Sequence, residues 1–321
     1  MTAEKIVFYH HPCLDGSASA WAALQAFGRE NTVYQGYTHD EKDVLRRVMD
    51  EKIGAETEVL FCDIVPPPDM MRDLPEKAAK LTIYDHHVTA QKQLSEFAHP
   101  KCDIVFDMQR SGAGLTWDML HPGVARPFVI ELVEAMDLYR TDALGASKDF
   151  FTCAAALDMI DLADFDGFMR EFSVLAEMDA PTARKTLMER GAAQRALYIE
   201  KIDAKLDSAV YVTLEGVEAL GGSAVAFFSG DIKKLGREFW YRFQKQAARD
   251  PKILMVCREE PETETVALSF RSAPGCDVSC AAEEIGSKYG ISGGGHKNAA
   301  AVRLTYEQFD PLVRKWKLPI D

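Results

Sequence analysis

Residues 81–87 read Leu-Thr-Ile-Tyr-Asp-His-His, an apolar, β-prone run that ends in one carboxylate and two imidazoles. Such a run, bounded by polar residues, predicts a buried strand. Two adjacent histidines at a strand end need solvent or polar partners, because burying them unpaired is costly. Asp85-His86-His87 is therefore the first candidate for a functional site.

Two other predicted strands end in comparable polar groups. Glu58–Cys62 runs into Asp63, and Lys5–His10 runs into residues 10–16, His-His-Pro-Cys-Leu-Asp-Gly. At the carboxyl edge of an open parallel sheet such residues converge, although they are distant in sequence. Carboxylates with some imidazole suit Mn²⁺ or Mg²⁺ better than a thiolate-preferring metal. Taken alone, a strand-end residue such as Asp63 is also a common helix N-cap or turn former.

Short β-prone runs alternate with helical stretches through the first half of the chain, which predicts an α/β fold with a parallel sheet flanked by helices. A largely helical stretch follows, and a second α/β segment with a mixed sheet begins near residue 207. We expect a metal-binding catalytic domain at 1–185, a helical linker at 186–208 and a smaller substrate-binding domain at 209–321.

Composition narrows the class of protein. The 321 residues, 47% of them hydrophobic, suffice for two packed cores, and neither a membrane-spanning run nor a secretory signal is recognisable. Seven cysteines without a Cys-x-x-Cys pair favour free thiols in a reducing cytoplasm. The net charge of -13 argues against binding to duplex nucleic acid, although metal ions can supply positive charge locally for an anionic substrate.

A glycine run marks the second half. Residues 291–300 read Ile-Ser-Gly-Gly-Gly-His-Lys-Asn-Ala-Ala, and the glycines can bring backbone amides close to an anion. A hairpin turn explains a lone glycine run about as well. Upstream, Arg271 can grip a phosphate with two N–H groups, a surface ion pair being the alternative. The substrate-binding candidates are Arg271, Gly293, Gly294, Gly295 and His296.

In this order the motifs resemble the DHH phosphoesterase superfamily, which includes RecJ-type exonucleases, nanoRNases, cyclic-dinucleotide phosphodiesterases and certain pyrophosphatases. The tripeptide 85–87 matches the one that names the family, and Asp63 matches its lone strand-end Asp. Asp15 and Asp137 match acidic residues of the first and fourth motifs. Ser111 opens a segment similar to the family's small-residue helix start, or simply a helix that packs closely on the sheet. The glycine run resembles the loop of the DHH-associated C-terminal domain.

The resemblance implies two ions, Mn²⁺ or Mg²⁺. The residues implied for one ion are Asp15, Asp63, His86 and Asp137. The other ion would share Asp63 and take a first-motif histidine, either His10 or His11, of which His11 fits a variant spacing better. In the catalytic pair, Asp85 would orient its neighbours and His87 would face the substrate phosphate.

The first motif departs from the family pattern. Many members carry an Asp where this chain has Cys13, and a His where it has Tyr9. Cys13 could bind metal as a thiolate, could leave the first metal site weak or could leave a one-metal enzyme. It could also be a small buried residue without a catalytic duty.

We therefore expect a hydrolase that uses metal-activated water on phosphoesters of short oligonucleotides or small nucleotides, bound between the two domains. One alternative is a polyphosphate or pyrophosphate hydrolase with the same metal set. The other, which Cys13 favours, is a nucleotide-binding regulatory protein with impaired catalysis. The sequence marks no membrane partner and no dimer interface.

Overall fold

The structure of the protein, a computed structural model, describes residues 4–38, 41–207, 209–230, 235–246, 252–273 and 276–320. The chain divides into two compact units, Met1–Arg195 and Ala196–Asp321. Each unit contains its own β-sheet. In the part of the chain that is described, no helix is both long and apolar enough to cross a membrane.

The sheet of the first unit has five strands, all parallel. They are β1 (Lys5–His10), β2 (Thr32–Tyr37), β3 (Glu58–Cys62), β4 (Lys80–Asp85) and β5 (Cys102–Phe106). Their order is β2-β1-β3-β4-β5, so the direction of winding changes between β1 and β3. In open α/β sheets the crevice outside the carboxyl ends of the strands at such a point is where ligands bind.

The helices of this unit follow and separate the strands. They are α1 (Leu14–Phe27), α2 (Lys42–Lys52), α3 (Leu74–Lys77), α4 (Val88–Gln93), α5 (Gly112–Leu120), α6 (Phe128–Asp137), α7 (Ser147–Leu157), α8 (Phe165–Ala176) and α9 (Ala180–Leu206), which extends into the second unit.

An aromatic core supports the three strands around the crevice. Phe8 of β1 and Phe61 of β3 are register partners whose rings stack at 4.8 Å, and Tyr37 of β2 meets Phe8 edge-on at 5.9 Å. All three are fully buried, and the Tyr37 hydroxyl donates to the Val65 carbonyl at 2.8 Å. Each such ring contributes about 1.5–3 kcal/mol by burial. The strand ends above this core are therefore held rigidly.

The sheet of the second unit is mixed, with β7 and β8 parallel and the other pairs antiparallel. Its strands are β6 (Val210–Thr213), β7 (Ala224–Ser229), β8 (Ile253–Glu260), β9 (Thr265–Ser272), β10 (Gly293–His296) and β11 (Ala299–Thr305), in the order β10-β11-β9-β8-β7-β6. Its helices are α10 (Gly236–Gln246), α11 (Val278–Tyr289) and α12 (Tyr306–Trp316). The predicted fold class, a domain with a parallel sheet followed by a smaller domain with a mixed sheet, is confirmed.

The expectation of a glycine loop was wrong, because Gly293–His296 is strand β10 of a hairpin with β11. Its glycines permit close packing against α11. A Cβ on Gly293 would lie 2.1 Å from the Ala282 carbonyl oxygen, and one on Gly286 would lie 2.8 Å from the Gly293 nitrogen. The absence of a side chain at Gly293 therefore allows β10 to pack closely against α11.

Candidate metal centre

The Asp85 carboxylate organises the end of β4. Its Oδ1 accepts hydrogen bonds from the backbone nitrogens of His86 at 2.5 Å and His87 at 2.9 Å, and lies 2.7 Å from His87 Nδ1. Burial lowers the pKa of His87, but the hydrogen bond and charge of Asp85 outweigh it and the net shift is upward. Asp85 thus fixes both the turn after the strand and the orientation of the His87 ring.

The buried imidazole of His86 lies among three carboxylates. Its Nε2 is 3.1 Å from Asp63 Oδ1, 3.6 Å from Asp15 Oδ2 and 3.5 Å from Asp137 Oδ2. Burial alone would lower the pKa of His86, yet the hydrogen bond to Asp63 and the surrounding negative charge raise it to about 10. The structure therefore brings together four residues predicted for one site.

Asp63 follows β3 in a left-handed backbone conformation, with φ of 61°. Its backbone nitrogen donates to the Tyr84 carbonyl at 2.9 Å, which ties it to the neighbouring strand. Burial raises the pKa of Asp63, but its contacts with His10 and His86 outweigh this and hold the pKa well below the usual range. Asp63 is therefore a carboxylate at the centre of the group.

Asp15 lies in the first turn of α1, which begins at Leu14. Its Oδ2 accepts from the Gly112 nitrogen at 2.6 Å and its Oδ1 from the Ala113 nitrogen at 3.0 Å, both at the start of α5. Burial and the charges of neighbouring carboxylates raise the pKa of Asp15 well above its usual range. A cation in the site would relieve that repulsion.

Of the first-motif residues, His10 and Cys13 lie beside Asp63. His10 Nδ1 is 3.3 Å from Asp63 Oδ2, and ligand atoms of His10, Cys13 and Asp63 all lie within 4.8 Å of one another. Among the described residues, His11 joins no such group, and its ring lies 5.9 Å from that of Tyr9. The structure thus brings His10, rather than His11, to the site.

The donor set fits divalent cations. His10, Cys13 and Asp63 form one group of possible ligands. Two further groups bring ligand atoms together, the first from Asp15, His86 and Asp137 and the second from Asp63, Asp85, His86 and His87. The Asp63 Oδ2 atom is buried, and its 3.3 Å contact with His10 Nδ1 lacks hydrogen-bond geometry. A buried, unsatisfied anionic oxygen is costly unless a cation or a proton compensates it.

Glu134 is a buried residue that the sequence reasoning left without a role. Its Oε2 accepts from the Ser111 nitrogen at 3.1 Å, and its Oε1 pairs with Arg126 at 2.9 Å and Arg140 at 3.2 Å. Ser111 is the N-cap of α5 and accepts from the Gly114 nitrogen at 3.2 Å. Glu134 therefore helps to place the amides that hold Asp15, and its only sequence signal is its position three residues before Asp137.

In the second unit, Arg271 and His296 flank one residue of β11. Both are register partners of Ala299, Arg271 in β9 and His296 in β10. Directly paired residues point to the same face of a sheet, and two strand spacings separate their Cα atoms by about 10 Å. Arg271 Nη1 donates to the Phe270 carbonyl at 2.8 Å.

Residues 237–317 match the family described as the DHHA1 domain. The second unit is thus similar to the DHHA1 domain. It is also 23% identical over 219 residues to the uncharacterized protein R106 of Acanthamoeba polyphaga mimivirus, covering 64% of this chain and 51% of that protein. The chain thus spans about half the length of this relative.

Two solved structures give the comparison of folds. RecJ from Thermus thermophilus, in complex with Mn²⁺, aligns with a TM-score of 0.52 and 12% identity over 97% of this chain and 51% of that chain. PggH from Vibrio cholerae, a pGpG-specific phosphodiesterase, aligns with a TM-score of 0.47 and 13% identity over 97% and 96%. The RecJ alignment shows that the two proteins share a fold. The DHHA1 match lies in the second unit, where the sequence resembles a DHH-associated domain.

Proposed function

We propose that the protein is a metal-dependent phosphoesterase acting on short oligonucleotides or small nucleotides. The observation that carries the proposal is the position of buried Asp63, with Oδ1 3.1 Å from His86 and Oδ2 3.3 Å from His10. A carboxylate facing two groups of ligands suits a centre with two ions. The DHH-type fold and the Mn²⁺ bound by RecJ support the same reading.

The protein's own residues would hold Mn²⁺ or Mg²⁺ at the strand ends. The ligands of one ion would be Asp15, Asp63, His86 and Asp137. Asp63 and His10 would contribute to the other ion. Such ions polarise a phosphoryl group and lower the pKa of a bound water, which supplies the nucleophile.

His87 is placed to act on the substrate. Asp85 accepts at the ring's Nδ1 and thereby directs Nε2 away from the turn. The side chain is 31% exposed, so a substrate phosphate can reach it. The hydrogen bond and charge of Asp85 raise the pKa of the ring, which favours a protonated imidazole as a donor to a phosphate oxygen.

The second unit would bind a phosphate or nucleotide group of the substrate. Arg271 and His296, about 10 Å apart on one sheet face, can grip a terminal phosphate or nucleotide. The net charge of -13 agrees with a small substrate rather than a duplex. We expect the protein to act in the cytoplasm, in keeping with its seven free cysteines.

A substrate panel tests the proposal. Purified protein with Mn²⁺ is incubated with a labelled dinucleotide, a five-mer, a cyclic dinucleotide and polyphosphate. The same panel is run with Asp63→Asn and with the matched control Asp73→Asn, which changes an exposed residue outside the site. We expect nucleotide hydrolysis that is lost in Asp63→Asn and retained in the control.

Other outcomes separate the alternatives. Preferential turnover of polyphosphate would replace the nucleotide substrate with a polyphosphate. Nucleotide binding without hydrolysis under Mn²⁺, Mg²⁺ or Co²⁺ would overturn the enzyme proposal in favour of a regulatory protein.

A further inference from the structure

We infer that the two metal positions differ in kind, and that the group of His10, Cys13 and Asp63 is a thiolate site for a softer ion such as Zn²⁺ or Co²⁺. The inference rests on the proposed function in one respect, that the strand-end cluster is a metal centre. It adds the identity of the ligands and the class of ion at one position.

The geometry brings three different donors together. Ligand atoms of His10, Cys13 and Asp63 lie within 4.8 Å of one another, and the His10 Nδ1–Asp63 Oδ2 distance is 3.3 Å. Donors around a tetrahedral Zn²⁺, with bonds of about 2.0–2.3 Å, are separated by roughly 3.3–3.8 Å. Small side-chain rotations therefore complete the site, which leaves a fourth position open for water or substrate.

Asp63 presents one oxygen to each group. Its Oδ1 lies 3.1 Å from His86 Nε2, whereas its Oδ2 faces His10. That Oδ2 atom is buried in a side chain only 2% exposed, and its 3.3 Å contact with His10 Nδ1 lacks hydrogen-bond geometry. A cation bound by His10 and Cys13 would compensate the charge of this oxygen.

The backbone fixes Cys13 beside His10. Cys13 is the N-cap residue of α1, but its side chain makes no capping hydrogen bond. A Cβ on Gly16 would lie 2.1 Å from the His10 carbonyl oxygen, so the first turn of α1 packs directly on the end of β1. The thiol is thus held beside His10 and Asp63 by the backbone at the start of α1.

The two groups differ in softness. The first contains one imidazole, one thiol and one carboxylate, and a thiolate ligand favours Zn²⁺ over Mg²⁺ or Mn²⁺. The second contains Asp15, His86 and Asp137, whose carboxylates suit harder ions. Binding of a cation by Cys13 as a thiolate would release the thiol proton to solvent.

Cobalt spectroscopy tests the inference without any substrate. The full-length protein is stripped of metal with a chelator and titrated with Co²⁺, while the near-ultraviolet thiolate-to-cobalt charge-transfer band is followed. The wild type is expected to show this band and lose it when Zn²⁺ is added. Cys13→Ser should lack it, whereas Cys280→Ser, which removes an exposed thiol, and Asp137→Asn, in the other group, should keep it.

A second variant guards against loss of folding. Cys13→Asp supplies a hard ligand at the same position, and we expect its Zn²⁺ affinity to fall by about tenfold or more while Mn²⁺ binding strengthens. Circular dichroism of all variants confirms that they are folded.

The inference is overturned if Co²⁺ binds the wild type without a charge-transfer band, or if the band survives in folded Cys13→Ser. If the protein hydrolyses substrate but shows no charge-transfer band, the proposed function stands and the thiolate site is rejected. If it shows a Cys13-dependent band but hydrolyses no substrate, the thiolate site stands and the proposed function is rejected.

Discussion

Asp63 has a left-handed backbone conformation, with φ of 61°, which residues other than glycine rarely adopt. Such a conformation costs on the order of 1 kcal/mol and persists only where the surroundings impose it. Here the hydrogen bond to Tyr84 and the packing of Gly112 impose it, and the carboxylate is thereby turned toward His10 and His86. The conformation serves the proposed metal centre.

The pair of Asp85 and His87 gives a prediction for single residues. Asp85→Asn keeps an oxygen for the backbone amides but removes the negative charge 2.7 Å from His87 Nδ1. We expect kcat to fall by about 10–100-fold, with a smaller change in Mn²⁺ affinity. The double variant Asp85→Asn/His87→Ala should be no slower than His87→Ala alone.

Steady-state kinetics and Mn²⁺ titration of the four proteins check this coupling. Asp103→Asn, at an exposed position on β5, is the matched control. Additive losses in the double variant would show that Asp85 does not act through His87.

The sequence predicted most of the residues of the metal centre, but it did not predict Glu134, which supports them. Asp63, Asp85 and His86 stand at the ends of apolar runs, so their convergence follows from a parallel sheet. Glu134 was missed because one acidic residue on a helix carries no pattern, and its importance arises only from contacts with Ser111. The choice of His10 over His11 depends on the direction of the chain after β1, which spacing does not determine.

The start of α5 is the element on which the centre depends. Its first amides hold the Asp15 carboxylate at 2.6 and 3.0 Å. Gly112 lies so close to Asp63 that a Cβ would approach the Asp63 Cβ to 2.5 Å. The sequence left open whether the small residues after Ser111 belong to a functional helix start or only allow close packing. In the structure they pack closely and also orient the Asp15 carboxylate.

Gly112→Ala tests this close approach. Because neither buried Asp63 nor the anchored start of α5 can move freely, we expect a loss of about 1–3 kcal/mol in unfolding free energy and a marked loss of Mn²⁺ affinity. Gly236→Ala is the matched control, since a Cβ there meets no atom within 4 Å. Urea unfolding and Mn²⁺ titration measure both variants. Equal unfolding free energies and equal Mn²⁺ affinities would contradict a requirement for close approach at Gly112.

Elements with a strong side-chain pattern were predicted closely, whereas glycine-rich ones were not. Helix α11 has such a pattern, because Asp277 caps its start and Gly290, with φ of 68°, ends it. Strand β10 was taken for a loop, because three glycines and a histidine offer no alternation of apolar and polar side chains. Only the pairing with β11 makes this segment a strand.

At the scale of the whole molecule, we assign metal binding to the first unit and substrate binding to the second unit. If Arg271 in the second unit binds the substrate, Arg271→Ala should raise KM by about 10–100-fold, the cost of losing a charge-assisted hydrogen bond, with little change in Mn²⁺ affinity. Arg303→Ala, which removes an arginine of β11 that pairs with Glu260, is the control. Steady-state kinetics on a dinucleotide make the measurement, and an unchanged KM would remove Arg271 from the site.

The most direct test is anomalous diffraction from crystals grown with Mn²⁺, recorded at the manganese edge. We expect a manganese peak roughly 2.0–2.4 Å from a carboxylate oxygen of Asp63, a distance typical of hard divalent ions and oxygen ligands. The peak should be absent from crystals of Asp63→Asn. Manganese bound elsewhere on the protein, with none at Asp63, would contradict the claim that the strand-end cluster is a metal centre.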